Sequence, residues 1–470
     1  FDKIMRYDLL RAPKSNGSVA ALVKDFETFQ QFFTSVTILL LIDIPFMFLF
    51  LYVIYAIGGP LVYVPLIIIP LVAFVGLVIQ PFLKKMAKSS LDGGEAKQTV
   101  LLETLQNIET VKSISGADKL RKRWLQAVDK QADVNVKTKF YNQIATSFSS
   151  SALMFNQIMI VSYGVLLIGD GTLSMGGLIG AMIISGRALA PVGQISQVLG
   201  RLNVSMECYR RIDEFMNVTN REEIANEYVK RSELKGPIST KNLTFRYPES
   251  QVKLFDNLTL EIKEGEKVAV LGKIGSGKSS LVRILLGLYL ADDGLVMVGG
   301  TNVNQIRPED MRKNFGVVHQ NVSLFSGTVR DNITLGVDNF EDDVLVKVAE
   351  ISGVMDWLGK LPNGFDYKLS EGGKELSGGQ KQTVALARAL MRKPHYLLFD
   401  EPTANMDTGT EQQVLAGLKK HLSDETVLIV THRMAPLSLV DRIIVLDSGR
   451  VAVDGPRDLV IQKLQAKKTA

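Results

Sequence analysis

The first 200 residues contain four long apolar stretches, and these constrain the fold more than any other feature of the chain. The stretches are roughly 33–57, 60–82, 144–168 and 173–198. Because a helix needs about 20 residues to cross the hydrocarbon core of a bilayer, each stretch is long enough to span a membrane. The last two contain several polar residues, among them Arg187, and would also suit buried helices of a soluble protein.

The distribution of positive charge predicts how these segments are oriented. The short turns at 58–60 and 169–172 carry no Lys or Arg. The opposite ends of the apolar segments carry Lys3, Arg6, Arg11, Lys14, Lys84, Lys85, Lys88, Lys112, Lys119, Arg121, Lys122 and Arg123. Since positive residues concentrate in cytoplasmic loops, both ends of this half are predicted to be cytoplasmic and the two turns to face outward.

About 60 polar and amphipathic residues separate the second and third apolar segments. Apolar residues recur there at helical spacing, which predicts that the membrane helices continue into the cytoplasm as a hairpin. A helix of 25 residues extends about 38 Å, so the tip near 116–124 is expected to contact a cytoplasmic domain. A solvated hairpin without a partner is the alternative.

Asp43 lies inside the first apolar segment, two residues before Pro45. A carboxylate within a membrane is costly and is a functional candidate for that reason. Neighbouring helices or a nearby aqueous cavity would also satisfy it, and this structural interpretation is preferred.

Composition excludes several classes of protein. The chain is 46% hydrophobic with 39 Gly and 15 Pro in 470 residues, which excludes disorder and collagen-like structure. A single cysteine, Cys208, excludes an intramolecular disulfide and a cysteine-based zinc site, and we interpret it as a reduced thiol on the cytoplasmic side. The net charge of +5 is too small to indicate a nucleic-acid partner. No secretory signal peptide is visible at the charged start of the chain.

From Tyr228 onward the pattern changes to short apolar runs that alternate with helical segments. The run at 267–272 is typical of a buried strand, and further short apolar runs at 395–400, 426–431 and 442–447 end in polar residues. This pattern predicts a parallel sheet covered by helices, so the second half is expected to be an α/β domain.

A glycine-rich loop follows the first of these buried runs and precedes a helical segment. Its residues are Gly272, Lys273, Ile274, Gly275, Ser276, Gly277, Lys278 and Ser279, with Ser280 next. In this strand–loop–helix context, backbone N–H groups and the helix N-terminus cradle phosphate. Lys278 is expected to reach the β- and γ-phosphates, and the Ser279 hydroxyl is expected to bind Mg²⁺.

Two further groups suit the same chemistry. Asp400 and Glu401 end a buried run, where Asp400 suits the Mg²⁺ shell through water and Glu401 suits the polarisation of an attacking water. Without the phosphate loop in the same chain, two acids at the end of a strand would be interpreted as surface residues.

A second helix start, at Ser377, Gly378, Gly379 and Gln380, offers another anion-binding surface. A plain serine N-cap is the simpler interpretation of that segment. However, one chain carries one phosphate loop and one extra anion-binding helix start, and this favours the helix start of one copy contacting the phosphates bound by another.

Together these residues resemble the nucleotide-binding domain of ATP-binding cassette (ABC) transporters, over roughly 238–464. The loop at 272–279 resembles Walker A, the segment ending at Glu401 resembles Walker B, and 376–380 resembles the signature motif. Asp407 ends a segment similar to the D-loop, although Ala404 stands where Ser is usual. Residues 370–375 resemble the exporter loop that senses the membrane domain.

The resemblance implies roles for individual residues. It implies ATP and Mg²⁺, with Glu401, His432 and Gln320 as catalytic residues and with Ser279, Gln320 and Asp400 around the metal. Tyr247 resembles the aromatic residue that stacks on adenine. Two cassettes would face head to tail, with ATP between the Walker A loop of one and Ser377–Gln380 of the other.

The first half resembles the exporter-type membrane domain, whose coupling helices would be 116–124 and the stretch near 4–10. The expected fold is an all-α transmembrane domain followed by an α/β P-loop domain. The expected boundaries are 1–212 for the membrane domain, 213–237 for a linker and 238–470 for the cassette. Such membrane domains usually have six crossings and this chain offers four, so we expect that the sequence lacks an N-terminal part.

Finer features, such as RALAPVGQISQ after GDGTLSMGGLIG, resemble the permease/ATPase of bacterial type I secretion. That subfamily implies a homodimer in the bacterial inner membrane, a polypeptide cargo such as a repeat-rich toxin or adhesin, a periplasmic adaptor and an outer-membrane channel. The alternatives are an exporter of lipid, drug or small peptide, a ligand-gated channel on the same scaffold, and a soluble cassette ATPase, against which the four apolar segments argue.

Overall fold

The computed structural model describes residues 2–10, 16–38, 42–217 and 228–469. They form two compact units. One contains the described residues of Phe1–Ala12 and Thr219–Ala470, and the other contains those of Pro13–Val218. The first of these units, called the cassette unit here, begins with the short helix α1 (Asp2–Arg6).

The second unit, called the helical unit, consists of helices, most of them long. They are α2 (Asn16–Ile38), α3 (Ile44–Gly58), α4 (Tyr63–Gln106), α5 (Ile108–Ser113), α6 (Ala117–Gly169) and α7 (Met175–Met216). A 3₁₀ turn, Gly59–Val62, separates α3 from α4, and Gly59 adopts φ +50° there. This conformation is costly for residues with a side chain and is readily adopted by glycine.

Within the described residues, three helical stretches are long and apolar enough to cross a membrane: Ile44–Gln106, Ala117–Gly169 and Met175–Met216. The first runs through α3, the 3₁₀ turn and α4, so it includes the second predicted crossing and most of the first. Residues 39–41 of that first crossing lie outside the described residues. The predicted helical membrane domain is therefore confirmed as a fold class.

Two of these helices are much longer than a bilayer requires. α4 has 44 residues and α6 has 53, which correspond to about 66 Å and 80 Å. They are joined through α5 and a turn in which Ser115 has φ +53°. The helical hairpin predicted from the amphipathic pattern is thus present. Its turn lies at 114–116, so it meets the predicted tip only at Gly116, and 117–124 forms the first turns of α6.

Close contacts hold the helices of this unit together. Ile54, Leu61 and Ile160 are fully buried in one apolar cluster. A Cβ atom on Gly164 of α6 would overlap the Leu178 side chain of α7. Glycine at this position lets the two helices pack closely, as small residues do in membrane helix bundles. Asp43 lies half-buried at the start of α3 and makes no capping hydrogen bond there.

The cassette unit is built on two main sheets. Its strands are β1 (Ile238–Phe245), β2 (Phe255–Ile262), β3 (Lys267–Gly272), β4 (Asp293–Val298), β5 (Thr301–Asn302), β6 (Phe315–Val318), β7 (Gly327–Thr328), β8 (Lys368–Leu369), β9 (Tyr396–Asp400), β10 (Thr426–Val430), β11 (Arg442–Asp447) and β12 (Arg450–Pro456). Six form one sheet in the order β12-β11-β3-β10-β9-β6, in which only β12 is antiparallel to its neighbour. Four form an antiparallel sheet in the order β2-β1-β4-β5.

Helices cover these sheets. They are α8 (Lys278–Leu285), α9 (Pro308–Asn314), α10 (Val329–Ile333), α11 (Asp342–Ile351), α12 (Met355–Leu358), α13 (Gly378–Met391), α14 (Thr408–His421) and α15 (Arg457–Thr469). Every residue of β9 and β10 is buried, as expected for central strands of a parallel sheet with both faces covered. The predicted α/β domain is therefore confirmed.

The segment predicted as a coupling helix near 4–10 forms α1 and a following turn. Asp8 accepts a hydrogen bond from the Leu10 N–H at 2.9 Å, and the Leu10 side chain packs against the apolar core beneath β1, β2 and α8. These residues therefore belong to the cassette unit by their contacts.

Candidate nucleotide-binding site

A pocket of about 650 Å³ lies within the cassette unit where β3, β9 and β10 reach their carboxyl ends. These strands are neighbours, so the segments that follow them meet at one edge of the sheet. The lining residues are Tyr247, Leu254, Gly272, Lys273, Ile274, Gly275, Gly277, Lys278, Ser279, Ser280, Gln320, Asp400, Glu401 and His432. Leu254 is the only one of them that the sequence analysis did not single out. Ser276, also predicted, is buried within the loop.

The phosphate loop joins β3 to α8 and depends on glycine. Gly275 and Gly277 have φ values of +84° and +95°, and a Cβ atom on Gly277 would lie 2.7 Å from the ring of Phe255. Lys278 Nζ donates hydrogen bonds to the carbonyl oxygens of Gly272 and Lys273 at 2.8 and 2.9 Å. The ammonium group is therefore held over a loop whose backbone N–H groups and helix start suit an anion.

Tyr247 stands at one side of the pocket. Its hydroxyl pairs with Ser280 Oγ at 2.8 Å, and its ring packs edge-on against Phe245 and Tyr289. These contacts fix the orientation of a half-buried aromatic ring beside the loop, as a platform for a nucleotide base requires.

Asp400 provides an oxygen ligand without a partner. Its side chain is buried, and its Oδ1 atom makes no hydrogen bond to any described residue. Burial raises the pKa of Asp400 above its usual range and the charge of Glu401 adds to the shift, while the nearby Ser279 side chain opposes it. A buried carboxylate oxygen without a hydrogen-bond donor needs an explanation. A cation bound between Asp400, Ser279 and Gln320 would coordinate this oxygen and so explain it.

The donor set agrees with a hard divalent cation. A carboxylate, a hydroxyl and an amide oxygen are the oxygen ligands that Mg²⁺ prefers. In the described part of the chain, no group of three or more His, Cys, Asp or Glu side chains is arranged to hold a metal. Phosphate oxygens and water would therefore complete the coordination, as is usual for Mg²⁺ in nucleotide sites.

Both carboxylate oxygens of Glu401 are held. Oε1 lies 2.6 Å from His432 Nδ1, and Oε2 accepts a hydrogen bond from Thr431 Oγ1 at 3.0 Å. The Glu401 backbone has φ +53°, which is uncommon for a residue other than glycine, and its N–H donates to the Val430 carbonyl at 2.8 Å. Strain of this kind persists where the surroundings fix the residue, and it is enriched at active sites.

Two residues that support this arrangement were missed by the sequence analysis. Gln382 is fully buried, donates to the Glu401 carbonyl at 3.2 Å and accepts from the Asn405 N–H at 2.9 Å. Thr431 also accepts from the Arg433 N–H at 3.0 Å. Gln382 lies two residues after the predicted signature and Thr431 immediately before His432, so adjacency to a motif is the only signal that points to either.

Asp407, the last residue of the segment similar to the D-loop, caps α14. Its Oδ1 accepts hydrogen bonds from the N–H groups of Gly409 and Thr410, both at 3.0 Å. The hydrogen bond from the Thr410 hydroxyl lowers the pKa of Asp407, and these two backbone bonds lower it further.

The predicted second anion site begins α13 as a capping box. Ser377 Oγ accepts from the Gln380 N–H at 3.2 Å, and Gln380 Oε1 accepts from the Ser377 N–H at 2.8 Å. Ser377 and Gly378 are exposed, and Gly379 approaches the Asn405 carbonyl closely. None of the four predicted residues lines the pocket of its own chain, so the structure does not bring them together with Lys278.

Comparison with protein families gives two matches in sequence order. The family model for the ABC transporter transmembrane region matches residues 1–189, and that for the ABC transporter matches residues 255–404. Together they cover more than half of the chain.

The chain is similar to curated proteins of toxin secretion. It is 29% identical over 455 residues to the cyclolysin secretion/processing ATP-binding protein CyaB of Bordetella pertussis. It is 28% identical over 450 residues to the leukotoxin translocation ATP-binding protein LktB of Mannheimia haemolytica. Each match covers 95% of this chain, whereas the chain spans only 62% and 63% of the length of these relatives.

A solved structure shares the fold. The structure of a bacterial Atm1-family ABC exporter with ATP bound aligns with all of this chain and 84% of its own, with a TM-score of 0.90 and 22% identity. The prediction of a helical membrane domain followed by a P-loop domain is confirmed by this likeness.

Proposed function

Since the chain belongs to the ABC transporters, with the family's transmembrane region and ATP-binding domain in order, we propose that it is an exporter subunit driven by ATP hydrolysis. The observation that carries this proposal is the pocket in which Glu401, fixed by His432 and Thr431, lies with the loop of Lys278.

The residues of the pocket divide the chemistry between them. Loop N–H groups and Lys278 bind the phosphates, and Tyr247 holds the base. Glu401 accepts a hydrogen bond from the attacking water and orients it in line with the γ-phosphate, while His432 and Thr431 keep the carboxylate in place. Ser279, Gln320 and Asp400 would hold Mg²⁺, which neutralises charge on the β- and γ-phosphate oxygens when bound.

We further propose that two copies of the chain act together. Because Ser377, Gly378, Gly379 and Gln380 lie outside the pocket of their own chain, the ATP bound by one copy is contacted by this exposed helix start of the other. ATP thereby favours a closed dimer, and loss of the γ-phosphate releases it, which is a ligand shifting a two-state equilibrium through differential contacts. The predicted coupling segments at 116–124 and 4–10 transmit this change to the membrane helices.

For the cargo, we propose a polypeptide of the toxin or adhesin type. This rests on the names of CyaB and LktB, which refer to secretion or translocation of protein toxins. The chain would then act in the bacterial inner membrane, with the cassette in the cytoplasm, together with a periplasmic adaptor and an outer-membrane channel. Purified protein in lipid nanodiscs tests the cargo class: a C-terminal secretion segment should alter ATPase activity, whereas a response to lipids, drugs or small peptides alone would replace the polypeptide with that class.

Glu401→Gln tests the ATPase assignment. The substitution removes the charge that orients water but keeps the shape, so we expect hydrolysis to fall by about 10²- to 10⁴-fold. ATP should remain bound, and the variant should elute as a tight dimer on size-exclusion chromatography with ATP. Glu350→Gln, on the exposed face of α11, is the control and should hydrolyse ATP normally. Unchanged turnover in Glu401→Gln would refute the role of this carboxylate.

A further inference from the structure

A second cavity lies wholly within the helical unit, between α2, α4, α6 and α7. Its volume is about 890 Å³, comparable with sites for small molecules. Polar side chains form much of its wall: Thr28, Ser90, Thr138, Asn142, Thr146 and Ser205. A polar cavity inside a bundle that is otherwise packed with aliphatic side chains calls for a polar occupant.

The charge of the cavity selects the sign of that occupant. Lys139 of α6 and Arg201 of α7 line it, and none of the described residues in its wall is acidic. Among the described residues neither cation has an ion-pair partner. On α2, Asp25 is already paired with Arg211 at 3.1 Å, and Glu27 is exposed to solvent and does not line the cavity. The described residues of the helical unit therefore do not compensate these two positive charges, which favours an anion.

The hydrogen-bonding groups add a second requirement. The hydroxyls of Thr28, Thr138 and Thr146 donate to carbonyl oxygens of their own helices, so their oxygen atoms remain as acceptors. Asn142 Oδ1 is buried and has no hydrogen-bond partner among the described residues. The wall thus offers two cations and several acceptors, which fits an anion that also carries hydroxyl donors.

The position of the cavity along the helices suggests where such a ligand comes from. The apolar run of α4 ends at Leu83 and is followed by Lys84, Lys85 and Lys88, and Arg201 follows the apolar run of α7. Leu83 and Met86 also line the cavity, so its wall changes from apolar to polar at the same level as the helices do. In membrane-spanning helices this transition on the positively charged side marks the cytoplasmic headgroup region. Basic pockets between helices at that level bind anionic lipid headgroups.

We propose that this cavity binds one anionic phospholipid by its headgroup, with the phosphodiester between Lys139 and Arg201 and the headgroup hydroxyls facing Asn142. The proposal rests on the membrane-spanning role of the helical unit and is independent of the cargo and of the ATPase residues.

Native mass spectrometry of the full chain in detergent tests it, with phosphatidylglycerol and phosphatidylcholine of identical acyl chains as probes. The wild type should retain one phosphatidylglycerol per chain in preference to phosphatidylcholine. In Lys139→Ala/Arg201→Ala, affinity for phosphatidylglycerol should fall about 25-fold, because each basic residue near an anionic headgroup contributes roughly fivefold. Lys139→Arg/Arg201→Lys should restore it.

Lys85→Ala/Lys137→Ala is the matched control, since it removes the same charge from α4 and α6 outside the cavity wall. Equal retention of phosphatidylglycerol by both double variants would overturn the proposal, as would equal binding of the two lipids by the wild type. Complete displacement of the lipid by an equal concentration of glycerol 1-phosphate would replace the lipid with a free anion. Basal ATPase activity, measured on the same samples, reports separately on the proposed function.

Discussion

Thr431→Val addresses how Glu401 is held, because it removes one hydroxyl and nearly preserves shape. The hydroxyl donates to Glu401 Oε2 at 3.0 Å and accepts from the Arg433 N–H at 3.0 Å. A hydrogen bond to a charged group is worth about 1.5–3 kcal/mol, and each 1.36 kcal/mol corresponds to tenfold in rate. If all of this bond positions the carboxylate for catalysis, kcat should fall about 10- to 150-fold.

Steady-state ATPase assays and chemical denaturation separate the two effects of this substitution. KM for ATP should change little, because Thr431 is not among the residues that line the pocket. Thr426→Val is the matched control. Thr426 is buried at the other end of β10, and its hydroxyl accepts from the Gly265 N–H at 2.9 Å. It should lower the free energy of unfolding by about 1 kcal/mol and leave kcat unchanged. Equal kcat in the two variants would show that Thr431 acts on stability alone, and the positioning argument would be wrong.

Three other substitutions test separate parts of the molecule. Gly277→Ala should weaken ATP binding and destabilise the cassette by about 1–3 kcal/mol, since it forces an unfavourable φ and a clash with Phe255, and nucleotide titration with thermal unfolding would measure both. Arg211→Met should cost about 3–5 kcal/mol, because it leaves the buried Asp25 without its cation, and full stability of the purified variant would contradict this. Burial raises the pKa of Tyr396 to about 12 from 10.0. The contribution of its neutral phenol to the free energy of unfolding is therefore complete below pH 10 and is lost as the pH rises toward 12. Tyr396→Phe should therefore unfold with a weaker pH dependence in that window, and an unchanged slope would reject the assignment.

The phosphate-binding half of the site was predictable because it is local. Strand, loop and helix follow one another within a few residues, and the glycines that permit φ of +84° and +95° are visible in the sequence. Lys278 and Ser279 could be placed in the loop for that reason. The four predicted crossings were visible because bilayer thickness sets a length that composition alone can satisfy.

Residues that act through contacts distant in sequence could not be assigned in this way. Gln382 on α13 bonds to the backbone of Glu401, and nothing in its local pattern distinguishes it from a surface glutamine. Ser377 shows the converse. Its capping role was the simpler interpretation of the sequence and is what the structure contains, whereas its use across a dimer stays a proposal.

The sequence alone determined that a membrane-spanning helical half precedes a phosphate-binding α/β half, because periodicity, apolar length and the glycine loop are properties of consecutive residues. Only the tertiary structure decided that β10 lies between β3 and β9. That order brings His432 and Thr431 into contact with the Glu401 carboxylate. Because these contacts join residues that follow two different strands, the orientation of the Glu401 carboxylate could not be predicted from its own motif. The cavity between α2, α4, α6 and α7 has the same origin, since its lining side chains come from four helices whose packing no local pattern specifies.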